Sequence, residues 1–326
     1  MNNNKFLLSI IIPCYNEADN IFLLVNNIEE VLTQYHYEII LVNDGSTDST
    51  VQVIELISQE NKHVKYIHFS RNFGHQAAIK AGVDFVKGDC IVTMDADLQH
   101  PPETIPDMIK AWQNGFDVVT AIRNNIHKRF SLKNISSICF YWLLSKLADQ
   151  KVIVNGADFR LFDKKIGAVI RNMPEQHMYL RGLFSWVGFK QTSIDYTENQ
   201  RAFGKTKYSA KKMFQLASHG ITAFSIKPLR ISLAIGVLFA LLAFSYGIYA
   251  LIIMLLGAAV SGWTSIIASI LFLAGIQLMV LGVMGEYIGK LYIQNKQRPH
   301  YLITATNIEE NIKVLTKPTE RRAVVS

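Results

Sequence analysis

Cysteine is scarce in this chain: only Cys14, Cys90 and Cys139 occur in 326 residues, and no two stand at a metal-knuckle spacing. An odd, scattered count excludes a disulfide framework and suits a reducing, cytosolic face. His68, His75 and His100 lack metal spacing as well. No signal-peptide cleavage pattern follows Met1, and the short apolar run there reads as a first strand. The net charge of +7 and pI near 9.1 call for an anionic partner. No basic amphipathic run with interleaved aromatics appears, so no nucleic acid is expected; a phospholipid leaflet or a phosphorylated substrate fits better.

Charge is nearly missing from one long stretch, Leu229 to Ile288. Half of all residues are hydrophobic and the mean hydropathy is +0.18. The excess sits in that stretch, because up to about Ile226 the chain reads as a soluble protein. Two apolar spans, 229–256 and 264–288, each exceed the ~20 residues that cross a bilayer core. Lys227 and Arg230 precede the first span, and Lys290, Lys296 and Arg298 follow the second. The positive-inside rule then predicts a transmembrane hairpin over 229–290 in the cell (inner) membrane, with both termini cytoplasmic. Two segments before it, Asn134–Leu147 and Ser209–Ile226, carry apolar and basic residues at spacings that suit helices lying in the membrane interface. Gly275, Gly282, Gly285 and Gly289 would permit close helix approach and a homo-oligomer.

What is present in the first half is an alternation of apolar strands and amphipathic helices. Leu7–Pro13 reads as a fully buried strand, and Asn20–Gln34 follows with helical spacing. Glu38–Val42, Lys65–Ser70 and Cys90–Met94 continue as strands, with helices over Val51–Gln59 and Gln76–Val86; Val118–Ala121 is a further strand. This order predicts βαβ units and an α/β fold with a mostly parallel sheet. In such sheets ligands bind beyond the carboxyl ends of the strands. Tyr15–Glu17, Asp44–Ser46 and Asp95–Gln99 all fall at such ends.

Asp95 and Asp97 place two carboxylates just past a buried strand, where they can meet at one hard cation. Such a cation neutralises charge on a departing diphosphate. Asn43–Ser46 is either a plain turn or a base-binding loop in which Asp44 accepts a nucleobase N–H and Gly45 permits close backbone approach. Pro13–Glu17 is likewise either a plain loop or a nucleotide contact, with Tyr15 packing on a base and Glu17 near the ribose.

Four motifs together, Pro13–Glu17, Val42–Ser46, Asp95–Glu103 and Asn155–Leu161, resemble the family 2 glycosyltransferases of GT-A fold, and more narrowly the polyprenyl-phosphate glycosyltransferases. Leu281–Lys290, ending near Arg298-Pro299, resembles the second transmembrane helix of the bactoprenol branch. Asn43 is a departure, since many relatives have Asp there. The resemblance implies a Rossmann-like GT-A sheet with flanking helices. It also implies a Mg²⁺ or Mn²⁺ ion and diphosphate at Asp95, Asp97 and Gln99, with the nucleotide at Pro13, Tyr15, Glu17, Asp44, Asp95 and Gln99. Asp97 and Asp158 are implied as catalytic, Asp158 beside the acceptor. A phosphate monoester has a second pKa near ~6, so a lipid phosphate needs positioning more than deprotonation. Arg123, Arg129, Arg201 and Lys207 are the expected acceptor phosphate ligands, with Arg201–Tyr208 resembling a mobile acceptor loop.

These readings divide the chain into a GT-A domain (1–208), an interfacial segment (209–228), the hairpin (229–290) and a cytoplasmic tail (291–326). The expected reaction is inverting transfer, most simply of glucose, from a UDP-sugar to undecaprenyl phosphate at the cytoplasmic face. GDP-mannose or an amino-arabinose nucleotide are the alternative donors. A processive polysaccharide synthase fits less well, because Arg181-Gly182 lacks the adjacent Trp of the Gln-x-x-Arg-Trp motif and two spans are few for an export channel. A non-catalytic nucleotide-sugar-binding membrane protein would show a broken metal or acceptor motif, and none is broken.

Overall fold

In the computed structural model, which describes residues 6–124, 156–175, 180–198, 226–256 and 262–308, β1 (Leu7–Cys14) has seven consecutive buried residues. A run buried on both faces satisfies its backbone only inside a sheet. Ile10 and Ile12 point into one apolar cluster and Ile11 into the other, so β1 separates two cores. On the first face lie α1 (Ala18–Val31), α2 (Thr50–Glu60) and α4 (Ile105–Gln113). On the second lie α3 (His75–Phe85), α5 (Lys164–Arg171) and α6 (Leu180–Trp186). The elements expected in this half are all present, with ends shifted by at most three residues.

The remaining strands are β2 (His36–Asn43), β3 (Val64–Phe69), β4 (Cys90–Thr93), β5 (Val118–Arg123), β6 (Gly156–Asp163), β7 (Gln191–Tyr196) and β8 (Ile303–Thr306). They form one sheet in the order β7-β5-β6-β4-β1-β2-β3-β8. β1 to β4 are mutually parallel, β6 runs against both β4 and β5, β7 follows β5, and β8 runs against β3. The sheet is therefore mixed. Six strands point their carboxyl ends to one edge, and the two reversed strands begin there. Every polar strand-end motif consequently shares that edge with the start of β6.

Two long helices, α7 (Lys227–Leu255) and α8 (Trp263–Asn295), occupy the predicted hairpin. They carry 21- and 24-residue apolar stretches, Leu229–Tyr249 and Phe272–Asn295, no part of which is buried against protein. Apolar surface of that extent on a helix pair is long enough to cross a membrane and has no protein cover among the described residues. Phe239 and Phe272 meet edge-on with centroids 5.5 Å apart. The second helix continues to Asn295 rather than ending at Ile288. The segment expected as a tail does more than trail away: it supplies β8, and Ile308 is buried against the sheet. The interfacial helix expected over 134–147 and that over 209–226, save Ile226, lie outside the described residues.

Candidate active site

The first two strand ends are tied together by side chains. Asn16 has φ 55°, and its backbone N–H donates to Ser46 Oγ at 3.0 Å while its Oδ1 accepts from Thr47 N–H at 2.8 Å. Glu17 N–H donates to Thr50 Oγ1 at 3.0 Å, and the Glu17 carboxylate accepts from Asn20 at 2.7 Å. Pro13 is buried within β1, beyond the Ile11–Thr93 register where pairing with β4 ends. Its missing N–H therefore costs no bond to β4. Tyr15 stands exposed beside this knot at 36%.

Asp44 is almost fully buried and is engaged by its own chain. Phe73 N–H donates to Oδ1 at 2.6 Å and Gly74 N–H to Oδ2 at 2.9 Å. Burial pushes its carboxyl above the ordinary value, and the two amides with nearby His75 and Arg71 offset part of that rise. Each oxygen keeps a second lone pair, so one further N–H from a base remains acceptable. The close approach expected at Gly45 exists, but the neighbour is protein: at φ +64° a Cβ there would stand 2.3 Å from the Arg71 carbonyl carbon and 2.6 Å from Asn72 N. Gly45→Ala should lower stability by about 3 kcal/mol, from overlap plus left-handed strain. Thermal unfolding of the purified protein checks this, and an unchanged midpoint would contradict it.

The third motif is shaped by alternation. Ala96, Leu98 and His100 are buried while Asp95, Asp97 and Gln99 stay half-buried on the open side. Leu98 sits at φ 64°, a conformation that costs a branched residue roughly 1–2 kcal/mol, and its side chain anchors the turn in the core. Asp97 Oδ1 accepts from Gln99 N–H at 3.2 Å. His100 lies flat on Phe159, centroids 4.9 Å apart, and its Nδ1 accepts from Asp95 N–H at 3.0 Å. That bond leaves the imidazole proton on Nε2, which faces Asp95 Oδ2 at 3.8 Å.

Strand reversal brings Asp158 to the same place. Thr93 pairs with Arg160 across the antiparallel strands β4 and β6; Asp95 stands two residues after Thr93 and Asp158 two residues before Arg160, at the same end of the pair. Thr93 Oγ1 also donates to the Asp158 carbonyl at 2.6 Å. The Asp158 carboxylate, with the residue 9% exposed, lies 3.8 Å from Arg160 Nη2 and 3.6 Å from His75 Nε2. The same His75 Nε2 is 3.5 Å from Asp95 Oδ1. His75 thus stands between the two carboxylates, and it opens α3 after Gly74, whose φ of 101° turns the chain. The signal for it was faint: a glycine before a helix, ending a loop held by another strand-end acid.

Asp95 Oδ1 is buried and has no hydrogen-bond partner among the described residues. Two carboxylates and an amide oxygen with one such orphan suit a hard divalent cation. Among the described residues no three His, Cys, Asp or Glu side chains close a cage. A cation held here would complete its shell with phosphate and water. Arg123 ends β5 at the same edge, where its guanidinium pairs with Glu198 at 2.5 Å; an arriving phosphate would compete with that carboxylate. Arg129, Arg201 and Lys207, with Lys128 and Lys205, lie outside the described residues.

Residues 9–168 match the family described as glycosyl transferase family 2, and residues 227–291 match the GtrB C-terminal hairpin. A prophage bactoprenol glucosyl transferase homolog of Escherichia coli is 40% identical over 299 residues, 91% of this chain and 98% of that one. The chain belongs to glycosyl transferase family 2. A bactoprenol glucosyl transferase of Shigella phage SfV is 38% identical over 91% of this chain and 97% of its own. An uncharacterized glycosyltransferase of Bacillus subtilis is 42% identical over 93% and 95%. Among solved structures, a glucosyl-3-phosphoglycerate synthase from Mycobacterium tuberculosis with Mn²⁺ and uridine diphosphate is 14% identical, with TM-score 0.47 over 67% of this chain and 78% of that one. The mixed sheet of this family 2 glycosyltransferase is the GT-A-like arrangement that its motifs implied, and the hairpin marks it as membrane-associated.

Proposed function

We propose that this glycosyltransferase transfers a hexose, glucose in the simplest case, from a UDP-sugar to a polyprenyl phosphate such as undecaprenyl phosphate. The observation that carries the reading is the convergence of Asp95, Asp97, Gln99 and Asp158 at one sheet edge, with the chain leaving α8 attached to that same edge. From Asn295 to Ile303 the chain can span at most about 28 Å, so the site lies near the membrane exit. A phosphate on a membrane-dissolved lipid is the acceptor that such siting suits. The names of the bactoprenol glucosyl transferase relatives point the same way.

A lipid phosphate oxygen attacks the anomeric carbon as the bond from that carbon to the nucleoside diphosphate breaks. One displacement inverts the anomeric configuration. Asp95, Asp97 and Gln99 would hold Mg²⁺ or Mn²⁺, which supplies neutralisation of the leaving diphosphate. Asp44 and Tyr15 hold the base, with Pro13 and Glu17 shaping the floor beneath ribose and base. Asp158 fixes Arg160 and His75 around the incoming phosphate, which is already largely dianionic at neutral pH. Arg123, Arg129, Arg201 and Lys207 offset the repulsion between acceptor and donor phosphates. Positioning both reactants in line supplies much of the rate. The catalytic domain (1–208), the interfacial segment (209–228), the tail (291–326) and both termini are read as lying on the cytoplasmic side of the inner membrane, with only the hairpin (229–290) inside it.

The test is incubation of the full-length protein in lipid nanodiscs with labelled UDP-glucose, undecaprenyl phosphate and Mg²⁺ or Mn²⁺, beside a panel of UDP- and GDP-sugars. A lipid-linked monosaccharide of inverted anomeric configuration is expected. A polymer, or no lipid-linked product from any donor, would overturn the reading.

A further inference from the structure

The strand that follows the helix pair enters the sheet beside the nucleotide end of the site. The Leu302 carbonyl accepts from Ser70 N–H at 3.0 Å, and Ile303 pairs with Phe69. Just before them, the Tyr301 ring stacks on Phe69, centroids 5.1 Å apart and planes 9° apart. Phe69 in turn meets Phe73 edge-on at 5.7 Å, and Arg71 covers the Phe73 ring at 3.9 Å. Phe73 and Gly74 are the residues whose amides hold Asp44. The Tyr301 hydroxyl donates to Asp84 Oδ2 at 2.8 Å, and Asp84 pairs with the buried Lys80 one turn away on α3. Burial and the Asp84 charge push the Tyr301 phenol up, so its proton stays on to make that bond.

Residues 70–74 have neither helix nor strand to hold them, and the α3 N-terminus lacks a side-chain cap. Their shape therefore depends on what packs against them. One side chain, Tyr301, grips both the strand end that leads into this loop and the helix that presents His75.

We propose that Tyr301 is a positioning residue for nucleotide binding: the segment leaving α8 sets the conformation of residues 70–75, and through them the Asp44 carboxylate and the His75 imidazole. The proposal rests on the reading of Asp44 as a nucleotide contact. Its physical content is that a stacked aromatic pair and one charge-assisted bond restrict a loop otherwise free to leave Asp44. Binding a nucleoside diphosphate then costs less ordering than it would with the strap detached.

The experiment uses the full chain in nanodiscs, with UDP and GDP binding measured by calorimetry and amide exchange followed for residues 70–75. Tyr301→Leu is expected to weaken UDP binding about fivefold and to speed exchange in 70–75, with β1 amides unchanged. Tyr301→Phe keeps the stacked ring but deletes the bond to Asp84, and its affinity should fall between those of the parent and Tyr301→Leu. Phe73→Leu should reproduce the loss, and combining it with Tyr301→Leu should cost less than the sum of the two. Should Tyr301→Leu fail to fold, Phe73→Leu decides alone. Folded variants that only melt earlier, with parental UDP affinity and loop exchange, would overturn the proposal. A parent protein that binds neither UDP nor GDP would overturn the nucleotide reading itself, and the proposal with it.

Discussion

Asp97→Ala should lower sugar transfer by about 10³-fold or more while leaving thermal stability almost unchanged. A thousandfold loss corresponds to roughly 4 kcal/mol of transition-state stabilisation, the scale expected when charge on a leaving diphosphate goes uncompensated. The stability cost is small because Asp97 is half-buried on the open side, and the bond it accepts from Gln99 N–H at 3.2 Å lies within its own turn. Losing that bond costs about 1 kcal/mol, a shift of roughly 2–4 °C in a chain of this size. Asp97→Asn sharpens the comparison, since it keeps an acceptor for Gln99 and removes only the charge. Both variants should be inactive and folded, as judged by labelled-sugar transfer and scanning calorimetry. Activity within tenfold of the parent in either would count against a charge role for this carboxylate.

Asp158→Asn should lower turnover by about 10²- to 10³-fold and, unlike the Asp97 variants, should also destabilise the protein. The difference follows from surroundings. Asp158 is 9% exposed, and its carboxylate sits 3.8 Å from Arg160 and 3.6 Å from His75. Arg160 is itself 4% exposed and stacked over Phe184 at 4.4 Å. Neutralising one member of such a buried pair costs about 2 kcal/mol after discount for the other contacts Arg160 makes. If Asp158 positions the acceptor rather than removing a proton, formate or azide will not restore activity to Asp158→Ala, and the acceptor KM will rise along with the fall in kcat. Rescue by an added base would assign deprotonation to Asp158 instead.

Much of the site was legible because its residues lie where strands end. Asp44, Asp95, Asp97 and Gln99 each follow an apolar run too continuous to be anything but a buried strand, and the carboxyl ends of such strands converge by topology. The helix pair was legible for a similar reason, since few soluble elements need two uncharged spans in succession. β6 was not read as a strand, because Asp158 and Arg160 interrupt its apolar pattern; both are buried beside each other, with His75 and Phe184 also against them. β8 was invisible for a different reason. A short, half-polar run after the hairpin has no periodicity of its own, and only pairing with β3 makes it a strand.

The sequence by itself determined the alternation of elements, the carboxylate pair Asp95 and Asp97, the membrane hairpin and the family, since these rest on local patterns that no fold is needed to reveal. Tertiary structure alone decided that Asp158 stands level with Asp95, because that follows from the reversal of β6 and its register with β4. It decided too that His75 lies between them, that Gly45 makes room for Arg71 and Asn72, and that the chain beyond the helices returns as β8. Each depends on contacts between residues far apart in the chain, whose pairing is set by the packing of the whole sheet and leaves no mark in any short stretch of sequence.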